Sequence, residues 1–73
     1  MARGHEIVAE MVANVLLVGV SPGDPVAAGD TVCLLESMKM EIPVIAEADG
    51  VVTEVKVGPG DVVQEGDILL VLS

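Results

Sequence analysis

The chain repeats itself, and this repeat constrains the fold more than any other feature of the sequence. At an offset of 37 residues, the segment from Val20 to Asp30 aligns with the segment from Val57 to Asp67, and seven of the eleven positions are identical. The apolar stretches on either side stay in the same alignment. Internal similarity of this kind indicates one structural unit used twice. We therefore expect residues 1–73 to form a single domain with two similar halves.

Turn-forming residues divide each half into short segments rich in valine. Pro presets one backbone dihedral and Gly permits the left-handed conformation, so the repeated Pro-Gly-Asp and Gly-Asp steps predict tight turns. Between the turns, β-branched residues favour strands, and no helical period of 3.6 residues occurs. Regularly spaced strands of this kind predict an all-β fold, a flattened barrel or sandwich of two small antiparallel sheets with quasi-twofold symmetry. Strands are predicted near residues 5–11, 14–20, 31–36, 40–46, 50–57 and 67–72, with further short strands around Val26 and Val62–Val63.

Two strand segments differ in their apolar pattern. Val55, Lys56 and Val57 alternate as in a strand with one face in water, so Lys56 should be exposed. The segment from Ile68 to Leu72 is apolar throughout. A strand without alternation is typical of burial on both faces. We therefore expect the last strand to lie inside the sandwich.

Size and charge exclude several classes of function. A chain this short buries only about 60% of the surface that its unfolded form exposes, which leaves little interior for a deep substrate pocket. We therefore do not expect an enzyme. The net charge of −9 argues against binding to nucleic acids and to anionic membranes. No apolar run reaches the roughly 18 residues of a transmembrane helix, and no signal peptide is evident. These features predict a cytoplasmic protein that is monomeric on its own.

The lone cysteine and the lone histidine are both expected to be structural. Cys33 lies in an apolar segment, where a small buried hydrophobic side chain is its expected role. His5 has no second ligand at a spacing suited to a metal. The sequence therefore predicts neither a metal site nor a catalytic group.

The segment from Leu34 to Val44 joins the two halves and is predicted to be a hairpin. Its tip contains Lys39, one of two lysines in the chain, between Met38 and Met40. Flexible apolar thioether side chains on an exposed tip indicate a surface that a partner uses. A projecting lysine offers a primary amine on a flexible stem, which suits covalent modification by an enzyme that encloses the tip. Exposed hairpin lysines are also common without any function, so the geometry alone leaves open a tip that binds a protein partner without modification.

The sequence Glu-Ser-Met-Lys-Met-Glu at residues 36–41 resembles the biotin attachment motif of biotinyl domains in biotin-dependent carboxylases, usually Ala-Met-Lys-Met or Ser-Met-Lys-Met. The resemblance extends from about residue 6 to residue 72 and includes the repeated Pro-Gly-Asp turns and the Ala-Asp-Gly turn at residues 48–50. In one place the chain departs from the family pattern. Residues 10–13 read Glu-Met-Val-Ala where many biotinyl domains have Pro-Met-Pro-Gly, so only Met11 fits there.

The resemblance implies a biotin carboxyl carrier. Lys39 would hold biotin covalently, attached by a biotin protein ligase. The carrier would then move carboxyl groups between the biotin carboxylase and carboxyltransferase components of a carboxylase such as an acyl-CoA carboxylase, without catalysing either step. Residues that the ligase would recognise are Glu36, Ser37, Met38, Met40 and Glu41.

Two other functions remain open at the level of sequence. Lipoyl domains share the fold, but they usually carry Asp-Lys-Ala at the tip, so Met38 and Met40 favour biotin over lipoate. A protein-interaction module would use the same two methionines without any cofactor.

Overall fold

The computed structural model describes residues 5–73, which form eight β-strands. Four strands build each of two antiparallel sheets, with the orders β1-β8-β6-β3 and β5-β4-β2-β7. The predicted all-β fold of two small antiparallel sheets is confirmed. Within residues 5–73, no helix is long and apolar enough to cross a membrane. The strands are β1 His5–Val8, β2 Ala13–Val18, β3 Pro25–Val26, β4 Thr31–Ser37, β5 Met40–Ile45, β6 Gly50–Val55, β7 Val62–Val63 and β8 Ile68–Leu72.

The sequence repeat sets the positions of the strands. A shift of 37 residues carries β2 and β3 onto β6 and β7, carries β4 onto β8, and carries β1 onto part of β5. The same shift turns the strand order of the first sheet into that of the second. The two sheets are therefore copies of one arrangement, as the predicted quasi-twofold symmetry requires.

The two halves of the sequence are interleaved in space. The short strand β3 of the first half pairs with β6 of the second half, and β7 of the second half pairs with β2 of the first. Each sheet therefore contains strands from both halves. Neither half can complete a sheet from its own residues.

Four tight turns hold this frame together with the same contacts. In the first turn, the N–H of Asp24 donates to the carbonyl of Ser21 at 3.0 Å, and the Asp24 carboxylate accepts from the Ser21 N–H at 2.8 Å. Gly23 has a φ of 96°, which is the left-handed region that a glycine enters without steric cost. The repeated glycine and aspartate thus have separate roles in bending the chain and in fixing the bend. The same pair of hydrogen bonds recurs in the turns at residues 27–30, 58–61 and 64–67.

The buried core is aliphatic and follows the repeat. Leu69 and Leu70, which are neighbours in β8, are both 0% exposed, so this central strand is covered on both faces as predicted. Cys33 is also fully buried, and burial raises the pKa of its thiol to about 11. Six pairs of buried residues are related by the repeat, namely Ala9 and Ala46, Val15 and Val52, Val26 and Val63, Val32 and Leu69, Cys33 and Leu70, and Leu35 and Leu72.

The predicted strand near residues 5–11 is too long, because β1 ends at Val8. At Ala9 the N–H donates to the carbonyl of Asp67, and the carbonyl accepts from the N–H of Gly66, both at 2.8 Å. These bonds draw the chain off the first sheet and along the turn at residues 64–67, and it enters the second sheet at Ala13. The other predicted strands agree with the structure to within two residues, and the two short strands are confirmed as β3 and β7.

Candidate functional site

The predicted hairpin between the halves is formed by β4 and β5. Its turn has two residues, the shortest length that is common in β-hairpins. Ser37 pairs with Met40, so Met38 and Lys39 alone form the turn. Their φ angles are 52° and 65°. Positive φ at both central residues is the pattern of a type I′ turn, whose twist matches that of the flanking strands. The lysine therefore lies at the extreme end of a regular ladder.

The residues in this turn are unusual for its conformation. Type I′ turns favour Asn-Gly and similar pairs, because a side chain in the left-handed region costs roughly 1–2 kcal/mol. Among residues 5–73, Met38 and Lys39 are the two residues other than glycine with positive φ. Strain of this kind persists where the surrounding structure imposes it. Here the β4–β5 ladder, with six paired positions, imposes it.

The side chains at the tip project into solvent. Met38 is 91% exposed and Met40 is 65% exposed, and Lys39 is exposed between them. The one ion pair within residues 5–73 joins Lys56 to Glu54 at 2.9 Å, so it leaves the Lys39 amine unpaired. The prediction of an exposed hairpin lysine between two exposed methionines is confirmed.

Ser37 connects the base of the tip to the segment between β1 and β2. Its hydroxyl donates to the carbonyl of Val12 at 3.1 Å. Val12 is 63% exposed and Met11 is 37% exposed. The segment that departs from the family pattern at residues 10–13 therefore lies beside the turn formed by Met38 and Lys39. Sequence reasoning missed this contact, because no local pattern indicates a hydrogen bond between residues so far apart in the chain.

The two predicted glutamates lie side by side below the tip. Glu36 is half-buried, Glu41 is exposed, and the two are direct partners in the β4–β5 ladder. On its other side, Glu36 pairs with Asn14, which in turn pairs with Val62. Directly opposed residues in antiparallel strands point to the same face of the sheet. A row of four side chains therefore crosses the sheet, and Asn14 and Val62 are members that sequence reasoning did not find.

The arrangement suits the presentation of an amine to another protein. Within the described residues, no three His, Cys, Asp or Glu side chains are grouped so that they could hold a metal ion. Lys39 projects from a small aliphatic sandwich, at a turn whose conformation the ladder fixes. An exposed lysine on a turn of fixed conformation is the geometry expected of a carrier domain that holds a group covalently.

The comparison with protein families shows the family to which this domain belongs. The biotin–lipoyl family, described as biotin-requiring enzyme, matches residues 5–72. The chain belongs to this family. The predicted class, a non-catalytic biotin carrier domain with covalently held biotin, is confirmed by this match together with the relatives.

Small relatives match the chain over most of their length. A biotinylated protein TB7.3 homolog of Mycobacterium leprae is 55% identical over 51 residues, which cover 70% of this chain and 72% of the relative. A biotin/lipoyl attachment protein of Bacillus subtilis is 52% identical over 64 residues, which cover 88% of each chain.

Solved structures show the same fold both within a much larger protein and in a chain of similar size. The urea carboxylase of Kluyveromyces lactis superposes with a TM-score of 0.91 at 30% identity, over 100% of this chain but only 6% of that one. The lipoyl domain of the 2-oxoglutarate dehydrogenase complex of Azotobacter vinelandii gives a TM-score of 0.73 at 32% identity, over 85% of this chain and 78% of that one. Biotinyl and lipoyl domains therefore share this architecture.

Proposed function

We propose that a biotin protein ligase attaches biotin to Lys39, and that the modified chain carries carboxyl groups between the biotin carboxylase and carboxyltransferase components of a biotin-dependent carboxylase. The observation that supports this most directly is the projecting turn, where exposed Lys39 stands between exposed Met38 and Met40. An active site that encloses the tip reaches the amine without disturbing the ladder. The residues at the tip therefore fit an amide-linked biotin.

The attachment step requires a neutral amine. The Lys39 nitrogen attacks the acyl carbon of biotinyl-adenylate, an amide bond forms, and AMP leaves with the electron pair of the broken bond. Lysine amines are almost wholly protonated at neutral pH, so a base on the ligase takes up the proton. Glu36 and Glu41 lie below the tip as direct partners in the β4–β5 ladder, and we assign neither of them the role of this base. Their role is recognition by the ligase, together with Ser37.

Tethered biotin works by proximity. A short flexible tether gives its group an effective concentration in the ~mM range at each site that it visits. The relation to carboxylases supports this role, since an acyl-coenzyme A carboxylase alpha3 subunit of Mycobacterium leprae is 46% identical over 50 residues, although these make up only 8% of that subunit. An acyl-CoA is therefore the class of acceptor that the proposal favours. The carrier is cytoplasmic and monomeric until it meets these partners.

Intact-mass spectrometry tests the acceptor. The chain is co-expressed with a biotin protein ligase in excess biotin, and the wild type should gain the mass of one biotinyl group. Lys39→Arg should gain none. Lys56→Arg is the matched control, because Lys56 is the other lysine and is also exposed, and this variant should label fully. Label that persists in Lys39→Arg and is lost in Lys56→Arg would overturn the assignment.

The lipoyl carrier is the second candidate, because the lipoyl domain of Azotobacter vinelandii shares the fold at 32% identity. The same mass measurement separates the two candidates when cells receive excess lipoate as well as biotin. We expect the biotinyl mass alone. A lipoyl adduct on Lys39 would reject the carboxylase role and would make the chain a carrier for a dehydrogenase complex.

A further inference from the structure

Within residues 5–73, the sulfur-containing side chains that solvent reaches most easily are those at the hairpin tip. Met38 is 91% exposed and Met40 is 65% exposed, whereas Met11 is 37% exposed. The fourth methionine of the chain, Met1, lies outside the described residues. The two exposed thioethers are the direct neighbours of Lys39 in the sequence. Chemistry that requires an accessible thioether is therefore concentrated beside this amine.

The other side chains that oxidants commonly attack are absent or protected. The chain contains no Trp and no Tyr. Its one cysteine, Cys33, is fully buried, and burial raises the pKa of its thiol to about 11. Because the thiolate is the form of cysteine that reacts with peroxides, this thiol is both out of reach and in its unreactive form at neutral pH. A peroxide therefore meets the tip methionines before it meets the core.

The tip methionines contribute little to the packing of the core. Met38 lies in the two-residue turn, and Met40 is the first residue of β5. Neither belongs to the buried core or to the partly buried residues packed against it. Oxidation of a buried methionine disrupts packing, but oxidation of these two leaves the core contacts in place. Its effect is confined to what the tip presents to other proteins.

The reaction at each sulfur is a two-electron oxidation by hydrogen peroxide. A lone pair of the thioether attacks one peroxide oxygen, a sulfur–oxygen bond forms, and the oxygen–oxygen bond breaks. The departing hydroxide takes up the proton of the transferred oxygen, so the products are methionine sulfoxide and water. Methionine sulfoxide reductases reverse the change, one enzyme for each epimer of the sulfoxide. With a dithiol as the electron donor, the dithiol becomes a disulfide and the oxygen leaves as water.

We propose that Met38 and Met40 form a reversible oxidation site that controls the attachment of biotin to Lys39, and the control of attachment rests on the function proposed above. A sulfoxide is polar and chiral where the thioether is apolar and flexible. An enzyme that encloses the tip removes both side chains from water, so a sulfoxide oxygen loses its hydrogen bonds with the solvent. A loss of this kind corresponds to a fall in affinity of about tenfold or more. The chain thus accepts biotin when its tip is reduced and accepts it poorly when its tip is oxidised.

Site-resolved mass spectrometry tests the modification itself. The full chain is treated with hydrogen peroxide at neutral pH, catalase removes the peroxide, and the oxidation of each methionine is followed over time. We expect Met38 to gain one oxygen first, Met40 next and Met11 last, with Cys33 unchanged, in the order of their exposure. Far-UV circular dichroism should show the same Tm before and after oxidation of the tip. Oxidation of Met11 as fast as that of Met38, or a domain that unfolds as its tip is oxidised, would overturn the proposal.

Initial rates of biotinylation by a biotin protein ligase test the consequence. At a low concentration of carrier, the oxidised wild type should react more slowly by about tenfold or more, and treatment with both methionine sulfoxide reductases should restore the untreated rate. The double variant Met38→Leu and Met40→Leu has no thioether at the tip, so its rate after peroxide should equal its own rate before. Met11→Leu is the matched control and should lose rate as the wild type does.

Failure of this inference and failure of the proposed function give different results. If the oxidised wild type reacts as fast as the untreated protein, or if the double variant loses as much rate as the wild type, the tip methionines do not control attachment although Lys39 still accepts biotin. A loss of rate that the reductases do not reverse would equally reject a reversible site. An untreated wild type that gains no biotin would instead reject the proposed function.

Discussion

The strained turn predicts that a glycine in place of Met38, beside Lys39, makes the domain more stable. Met38 has a φ of 52° and is 91% exposed, so packing of its side chain does not offset the strain in its backbone. A side chain in the left-handed region costs roughly 1–2 kcal/mol. Glycine avoids that cost but loses about 0.5–1 kcal/mol more in backbone entropy on folding. Met38→Gly should therefore stabilise the domain by about 0.5–1 kcal/mol.

Met40→Gly is the matched control for this change. Met40 is the other exposed methionine beside the lysine, but it lies in strand β5 and its φ is not positive. Glycine there brings only the entropic loss of about 0.5–1 kcal/mol. The two flanking methionines should thus respond to the same substitution with opposite signs.

Thermal unfolding followed by far-UV circular dichroism measures both effects, because the chain has no Trp, Tyr or Phe to report by fluorescence. For a domain of this size, 1 kcal/mol corresponds to about 4–8 °C in Tm. Met38→Gly should therefore raise Tm by about 2–8 °C, and Met40→Gly should lower it by a similar amount. If both variants lower Tm equally, the turn is not strained and the reasoning fails. Met38→Gly should also be biotinylated more slowly, because Met38 is one of the residues that we propose the ligase recognises.

Two further predictions concern the core and its edges. A Cβ at Gly50 would lie 2.6 Å from the carbonyl oxygen of Ser73. Gly50→Ala should therefore lower the free energy of unfolding, measured in a urea titration, by about 1–3 kcal/mol. Gly58→Ala is the control, because a Cβ at Gly58 has open space around it and should change the free energy of unfolding little. Because burial raises the pKa of Cys33 from 9.0 to about 11, the thiol should resist alkylation at pH 8 until the domain unfolds. Stability should decline as the pH rises from 9 to 11, since the unfolded thiol ionises first. Rapid alkylation of the native protein, or a loss from Gly58→Ala as large as that from Gly50→Ala, would contradict these expectations.

The sequence predicted most of the local structure and little of the long-range pairing. Its turns were predictable because Gly and Asp act within four residues, as the bonds between Ser21 and Asp24 show. The pairing of β3 with β6 was not, because the repeat is equally compatible with halves that each form their own sheet. The exposed position of Lys39 at the tip of a hairpin was predictable from its neighbours in the chain. The placement of Val62 and Glu36 on one face of the sheet was not, because these residues are two strands apart and share no sequence pattern.

The position of the Met38–Lys39 turn at the junction of the repeat explains why its backbone strain is tolerated. In the ladder between β4 and β5, Cys33 pairs with Val44, and the equivalent Leu70 and Ile7 pair in the same register between β8 and β1. The first of these strand pairs is joined by a turn, and the second is not. Within residues 5–73, the turn at residues 38–39 is thus the part of the frame that has no counterpart in the repeat. Changes there break none of the repeated contacts that stabilise the core, so the sequence of the turn can vary without loss of the frame.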